Sequence, residues 1–281
     1  MKCLKAILIL FIMSALLLST IAAVYLSRDT KPITLPEEII PIEQEFTTAY
    51  LIKTNDGYLL FDTGYEKDFD TFKQFLKEEY IDAGNIRYLV LSHHHDDHSG
   101  YIAEIVKLNP SVRIIAHEKA VELLQSGNNN KANGGGIVNS NIYALFKIKQ
   151  MITPDWKLSF QPFKIRQNDI IVSGENFQLP AEAGLDAVII YTPGHSSDSI
   201  SLLYKNKYLL CGDLASNFLN FAGAKHLTLF NENLNEVYKS WEKIIAADAE
   251  IILPSHGKPF PIEKLRNNLY QYDQKDVVKF F

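Results

Sequence analysis

Between His93 and His98 the chain reads His-His-His-Asp-Asp-His, four imidazoles and two carboxylates in six consecutive positions. Neutral imidazole and carboxylate together form a metal-binding donor set, suited to zinc and also to iron or manganese. The run follows Tyr88-Leu89-Val90-Leu91, whose apolar character predicts a buried strand. On an extended backbone alternate side chains share a face, so His93 and His95 project together while His94 points away. Asp97 and His98 fall at the turn into a predicted helix, where they reach a second position close by. A solvated histidine cluster in a loop is the competing explanation. Such a loop does not normally follow a buried strand with its ligands already at alternating positions.

Three further polar residues stand just beyond apolar runs. They are His195 in Tyr191-Thr192-Pro193-Gly194-His195, Asp213 in Leu210-Cys211-Gly212-Asp213, and His256 in Ile252-Leu253-Pro254-Ser255-His256-Gly257. Each is a weak signal alone, since a lone loop histidine is usually structural or solvated. Four strands that all end in candidate ligands can converge at one sheet edge, where α/β folds build sites.

The elements that must position these residues follow from periodicity. Thr47–Thr54 alternates, Asn55-Asp56-Gly57 is a hairpin turn and Tyr58–Phe61 returns, running into Asp62-Thr63-Gly64. Phe69, Phe72, Leu76 and Tyr80 predict a helix over 68–80, and Ser99 is placed to cap another through Leu108. A strand at Val112–Ala116 and a helix at His117–Gln125 follow. The second half predicts strands at Ala187–Tyr191, Ser199–Tyr204, Lys207–Cys211 and Glu250–Leu253, a helix from Leu234 to Ala247, and a helical tail from Ile262. This alternation indicates a layered α/β domain. Residues 127–136 are rich in Gly and Asn and read as a loop. They open an insertion-like stretch, 127–168, which is either a helix packed on the core, a lid over the site, or a membrane-surface contact.

The order His-x-His-x-Asp-His, Thr-Pro-Gly-His, Gly-Asp, Ser-His-Gly resembles the metallo-β-lactamase superfamily over about residues 46–260. The resemblance implies an αββα sandwich with two divalent metal ions, zinc before iron or manganese, at one rim. Carried over residue by residue, it gives His93, His95 and His195 to the first metal, and Asp97, His98 and His256 to the second. Asp213 would bridge them, and Asp62 would orient a ligand imidazole from behind; a turn aspartate capping backbone N–H groups is the alternative for Asp62. His94 and Asp96 fill variable positions, and His117 and His226 have no motif support. Two cations about 3.5–4 Å apart lower the pKa of a shared water from about 15.7 towards ~7. The hydroxide so supplied attacks a carbonyl, with Asp97 as the catalytic carboxylate that orients the nucleophile or accepts a proton.

True class B β-lactamases of the family typically lack the bridging aspartate, which turns the expectation away from antibiotics. The ligand set resembles hydroxyacylglutathione hydrolases and N-acyl homoserine lactonases, although too few residues follow His256 for the former's glutathione-binding domain. The expectation is a metallo-hydrolase of an ester, thioester or lactone with a small-molecule substrate. The alternatives are a mononuclear iron enzyme of the persulfide dioxygenase type, a β-lactamase, and a membrane-tethered metal-binding protein without turnover.

Composition agrees with one large domain. The chain has 281 residues, 47% of them hydrophobic, and a formal net charge of -5 that becomes more negative once Lys2 and Lys5 are set aside. That balance argues against nucleic acid as a partner. Two cysteines, Cys3 and Cys211, make no disulfide framework. Ala6 to Leu26 is a nearly unbroken apolar run, close to the ~20 residues of a membrane span and longer than the roughly 7–15 of a cleavable signal core. Residues 1–26 are therefore expected to be a helical anchor, or a signal peptide cut near Ser19–Ala23, followed by a linker over 27–45 and the domain proper over 46–281. Either version puts the domain outside the cytoplasm, tethered to the membrane or secreted.

Overall fold

Apolar runs with both faces covered become the strands of two six-stranded sheets. The first contains β1 (Ile39–Glu43), β2 (Thr48–Lys53), β3 (Tyr58–Phe61), β4 (Ile86–Val90), β5 (Arg113–His117) and β6 (Ile170–Val172), in that order. β1 to β3 are antiparallel, and β3 to β6 are parallel. The second contains β7 (Asn176–Gln178), β8 (Ala187–Tyr191), β9 (Ile200–Tyr204), β10 (Tyr208–Leu210), β11 (Ile251–Leu253) and β12 (Phe260–Pro261), in the order β12-β11-β10-β9-β8-β7. Only its β10–β11 pair is parallel. The computed structural model describes residues 32–129, 135–152 and 158–279. The apolar segment Ala6–Leu26 and Cys3 lie outside them, and among the described residues no helix is long and apolar enough to cross a membrane.

The period-2 alternation of each strand divides its side chains between two cores. Tyr50, Ile52, Leu59, Phe61, Tyr88 and Val90 of the first sheet meet Ile189, Ile200, Leu202, Leu210 and Leu253 of the second. Their neighbours Leu51, Leu60, Leu89 and Ile114 face outward, against Phe72 and Leu76 of helix α1 (Phe69–Glu78), Ile102 and Ile105 of α2 (Ile102–Leu108) and Leu124 of α3 (Ala120–Ser126). The outer face of the second sheet, with Ile190, Leu203, Leu209 and Ile252, takes Ile142 of α4 (Ser140–Ile152) and Val237, Trp241 and Ile244 of α5 (Leu234–Ala246). The layers run helix, sheet, sheet, helix.

Three expectations need correction. Residues 39–43, placed in the linker, form the edge strand β1, which tolerates Pro41 because an edge position need not donate into the ladder. The tail after Ile262 holds only two short turns, Glu263–Arg266 and the 3-10 turn Gln274–Asp276, and Val278–Lys279 is a strand. That strand pairs with Gly136–Ile137, which pairs in turn with Phe230–Asn231. The stretch 127–168 is thus fastened at its start, by this ladder and by the burial of Ile142, while the far end of α4 exposes Ile148, Met151 and Ile152. His117 ends β5 instead of opening a helix, and its ring stacks 4.3 Å from that of Tyr191.

Trp241 is fully buried, and its indole N–H donates to the Leu214 carbonyl at 2.8 Å. Trp241→Ala is expected to cost about 3–5 kcal/mol, a cavity plus an unpaired carbonyl. In urea titrations its midpoint should fall while the slope keeps its native value.

Candidate metal centre

Five strands deliver the site. β3 and β4 of the first sheet are parallel, and in the second sheet β8 and β10 each run antiparallel to β9, so β8, β10 and β11 share one direction. The carboxyl ends of these strands release Asp62, His93, His195, Asp213 and His256, each within five residues of the last strand residue. Ile200 N–H donates to the Ser92 carbonyl and Thr48 N–H to the Ser255 carbonyl, both at 2.8 Å, tying the two sheets together at this rim.

All seven residues expected as ligands come together. Ligand atoms of His93, His95 and His195 form one group, those of Asp97, His98 and His256 a second, and Asp213 lies with His93 and His98. His195 Nε2 is 3.1 Å from His93 Nε2 and 3.0 Å from His95 Nδ1. One Asp213 oxygen, Oδ2, is 3.6 Å from His195 Nε2. The other, Oδ1, is 3.4 Å from His98 Nε2 and 3.3 Å from His256 Nε2. Asp97 Oδ2 is 3.3 Å from His256 Nε2.

Partners behind the rings fix where the protons are. His195 Nδ1 meets the Phe230 carbonyl at 2.8 Å and His256 Nδ1 the Phe46 carbonyl at 2.9 Å. A carbonyl only accepts, so both nitrogens donate. His98 Nδ1 donates to Asp62 Oδ2 at 2.9 Å. Ser92 Oγ spends its own proton on Asp62 Oδ2 at 2.7 Å, which leaves a lone pair to accept from His93 Nδ1 at 2.9 Å. In His93 and His195, which burial keeps neutral, Nε2 is therefore a bare lone pair turned inward. His93 and His195 face each other across about 3 Å with no proton to share, a repulsive arrangement that a cation relieves. Nε2 of His98 and Oδ1 of Asp213 are buried without a hydrogen-bond partner among the described residues. The residues fit a pair of divalent ions.

The electrostatics divide the site. Burial, with the neighbouring imidazoles, holds His93 and His95 well below the usual histidine range, and burial lowers His195 too, so these three rings are neutral. At His98 burial acts downward but Asp97, Asp213 and Asp62 outweigh it and hold the ring well above that range. His256 likewise resists burial through Asp213 and Asp97, and is pushed up to about 10. For Asp213 burial acts upward, yet His256, His98 and His195 keep it well below the ordinary carboxylate range.

Asp62 does more than cap a turn. Besides Ser92 Oγ and His98, it accepts from Ser92 N–H at 2.6 Å and from Ser255 Oγ at 3.3 Å, in a left-handed conformation (φ 62°). Gly212 permits this packing: it has φ +53°, and a Cβ there would lie 2.3 Å from Ser92 Oγ. His94 points away from the ligands, as expected, but into the protein: its Nδ1 meets Asp198 Oδ1 at 2.9 Å, both side chains fully buried. Sequence reasoning missed Asp198, whose only signal was its place in the polar loop after His195. It also missed Tyr65, whose hydroxyl is 3.5 Å from Asp97 Oδ2. Asp96 is tied to Asn129, donating its N–H to Oδ1 and accepting from Nδ2 at 2.7 Å, which pins the start of the Gly/Asn-rich loop. His226 packs on Phe260, away from the ligands.

The metallo-beta-lactamase superfamily model matches residues 42–256. Among curated proteins the chain is similar to "Diflavin flavoprotein A 1" of Synechocystis sp., 36% identical over 81 residues, 28% of this chain and 13% of that one. It is also similar to "Flavo-diiron protein FprA2" of Clostridium acetobutylicum, 35% identical over 68 residues, 24% of this chain and 16% of that one. Both matches thus span a small fraction of the relatives' length. Solved structures that resemble it include BJP-1, a subclass B3 metallo-beta-lactamase of Bradyrhizobium japonicum (TM-score 0.59, 19% identity, covering 86% of this chain and 91% of that one). A metallo-beta-lactamase of Cronobacter sakazakii with a HARLDQ motif gives a TM-score of 0.55 at 20% identity, covering 81% and 78%. At such identities the likeness is one of fold.

Two outcomes follow. Asp62→Ala removes the acceptor behind His98 and the anchor of Ser92 behind His93, so affinity for both ions should fall roughly 10–100-fold. Competition with a fluorescent zinc chelator reads this directly, and Asp96→Ala serves as the comparison. The second concerns protons. His98 and His256 are held protonated at neutral pH by the acids around them, and a cation must displace those protons, so affinity at their site rises with pH from 6 towards 10. His93, His95 and His195 carry none to displace. Calorimetry in buffers of different ionisation enthalpy should show proton release for one of the two binding events and little for the other.

Proposed function

The chain belongs to the metallo-beta-lactamase superfamily, and from that premise we propose that it is a dinuclear metal-dependent hydrolase of an ester, thioester or lactone. The observation that carries the reading is Asp213, set with one oxygen towards the His93–His95–His195 group and the other towards His98 and His256. Divalent ions, zinc before iron or manganese, would be held by those residues and by Asp97, and supply Lewis acidity that makes hydroxide available near neutral pH.

The chain's own groups do the rest. Asp97 keeps a carboxyl below the usual range, because His98 and His256 outweigh its burial, so it is an acceptor able to orient the attacking water and take its proton. Tyr65 beside it is the opposite: burial and the Asp97 charge push its phenol up, keeping it a donor. Its O–H is placed to donate to oxygen as charge develops there. The Nδ1 partners Ser92, Asp62, Phe230 and Phe46 hold the imidazoles in one orientation through the reaction. The substrate is a small molecule, a reading supported by the site's place at a rim between sheets in a chain of formal net charge -5.

A second reading, iron-based oxidoreduction, is favoured by the short similarity to a flavo-diiron protein. The two separate in one experiment: metal analysis of the purified protein, with activity on esters, thioesters, lactones and a β-lactam. Two metals per chain and hydrolysis are expected, and Asp213→Ala should lower kcat/KM by more than the roughly 10–100-fold typical of losing an outer partner. Tightly held iron without hydrolysis selects the oxidoreductase, and a folded protein that binds no metal sinks both.

A further inference from the structure

The three imidazoles of the first group are not held alike. His93 Nδ1 donates to Ser92 Oγ and His195 Nδ1 to the Phe230 carbonyl, so each of these rings is fixed by an acceptor behind it. His95 turns its Nδ1 inward, 3.0 Å from His195 Nε2. Its outer nitrogen, Nε2, is buried with no hydrogen-bond partner among the described residues. The backbone at His95 is secured, since Ser99 Oγ lies 2.7 Å from the His94 carbonyl oxygen and 2.9 Å from that of His95. What remains to be set is the torsion of the ring. A metal ligand has to be held within roughly 10–20° of its productive orientation.

Three rings surround that of His95, with centroids 4.5 Å (His93), 4.7 Å (His94) and 4.8 Å (His195) away. Two of them are themselves candidate ligands. His94 is the third, set edge-on at an interplanar angle of 68°, an arrangement that aromatic rings favour. It is fully buried, and Asp198 Oδ1 accepts from its Nδ1 at 2.9 Å. Asp198 in turn stands on a fastened loop: Tyr191 O–H donates to the Ser197 carbonyl at 2.8 Å, and Thr192 N–H to the Ser199 carbonyl at 3.0 Å. Burial acts upward on the Asp198 carboxyl, but His94 and Ser196 outweigh it and keep the group below the usual range, as an acceptor. The same loop carries His195. The bond between His94 and Asp198 therefore ties the segment bearing His93 and His95 to the one bearing His195, on the side away from the ligand atoms.

We infer that Asp198 is a positioning residue for the first metal site: it locks the His94 ring in place as the wall that orients the His95 imidazole, standing in for the acceptor that His95 lacks. This rests on the hydrolase reading above for its metal centre and assigns one half of that centre a support of its own. Asp62 reaches both halves, whereas Asp198 acts on the first alone.

The test measures zinc binding to the full chain, with calorimetry separating the event that releases few protons, at the first group, from the event that releases them. Asp198→Ala should weaken the proton-poor event roughly 10–100-fold, the loss typical of an outer partner, and leave the other within about threefold. Asp198→Asn retains an oxygen that accepts from His94 and should restore most of the affinity. His94→Asn keeps a donor for Asp198 but removes the ring wall. It should behave like Asp198→Ala, and it decides the matter if that variant does not fold. In the cobalt(II)-loaded protein both weakening variants should also shift the visible absorption bands that report ligand geometry. Equal loss at both events, or full affinity in His94→Asn, overturns the inference and leaves the pair a part of the core alone. Selective loss without hydrolysis of any ester, thioester or lactone keeps the positioning role and fells the hydrolase reading. Hydrolysis by the native protein with equal loss in the variants does the reverse.

Discussion

The architecture of this protein is governed by lone pairs that are forced to face one another. Three imidazoles meet within about 3 Å in a buried pocket, and two of them have already committed their other nitrogen to a fixed acceptor behind the ring. Rotating away would break buried hydrogen bonds, and protonation is opposed by burial and by the neighbouring rings. A cation resolves the conflict where nothing else in the pocket does. The second group resolves it differently in the absence of a cation, by keeping protons on His98 and His256 against Asp97 and Asp213. The centre is therefore asymmetric in its protons: one half is a set of neutral donors and the other is a charged network that must exchange protons for metal.

That conflict is sustained by the sandwich. Two parallel strand pairs, one in each sheet, end at the same rim, so residues far apart in sequence emerge side by side with little loop between strand and ligand. Short exits leave few torsions to misplace a ring. The inter-sheet core of Tyr50, Phe61, Val90, Leu202 and Leu210 lies directly behind, and its close packing resists the repulsion in front.

Much of this was legible in the sequence because ligands are chemically rare and strands are periodic. The His93–His98 run, and His195, Asp213 and His256 beyond apolar runs, sufficed to bring seven residues to one place. What was not legible depends on tertiary contact alone. Asp198 is an ordinary loop aspartate until the fold buries it against His94. Phe46, whose carbonyl accepts from a histidine 210 residues away, belongs to no motif. The strand at Ile39–Glu43 was obscured by Pro41, whose helix- and sheet-breaking character is harmless at an edge, and the ending at Val278–Lys279 is a strand only because Gly136–Ile137 offers it a partner. Local pattern reports chemistry and period; it does not report who the neighbours will be.

Asp62 gathers four donors, and through them touches both halves of the centre: His98 directly, and His93 by way of Ser92. It also spans the sandwich, since Ser255 belongs to the second sheet's exit loop. The two candidate metal positions consequently share a single point of failure. One half of the centre cannot be retuned at this residue while the other is left as it was, so a substitution meant to change only one position has to be made at a residue facing that position and not at this hub.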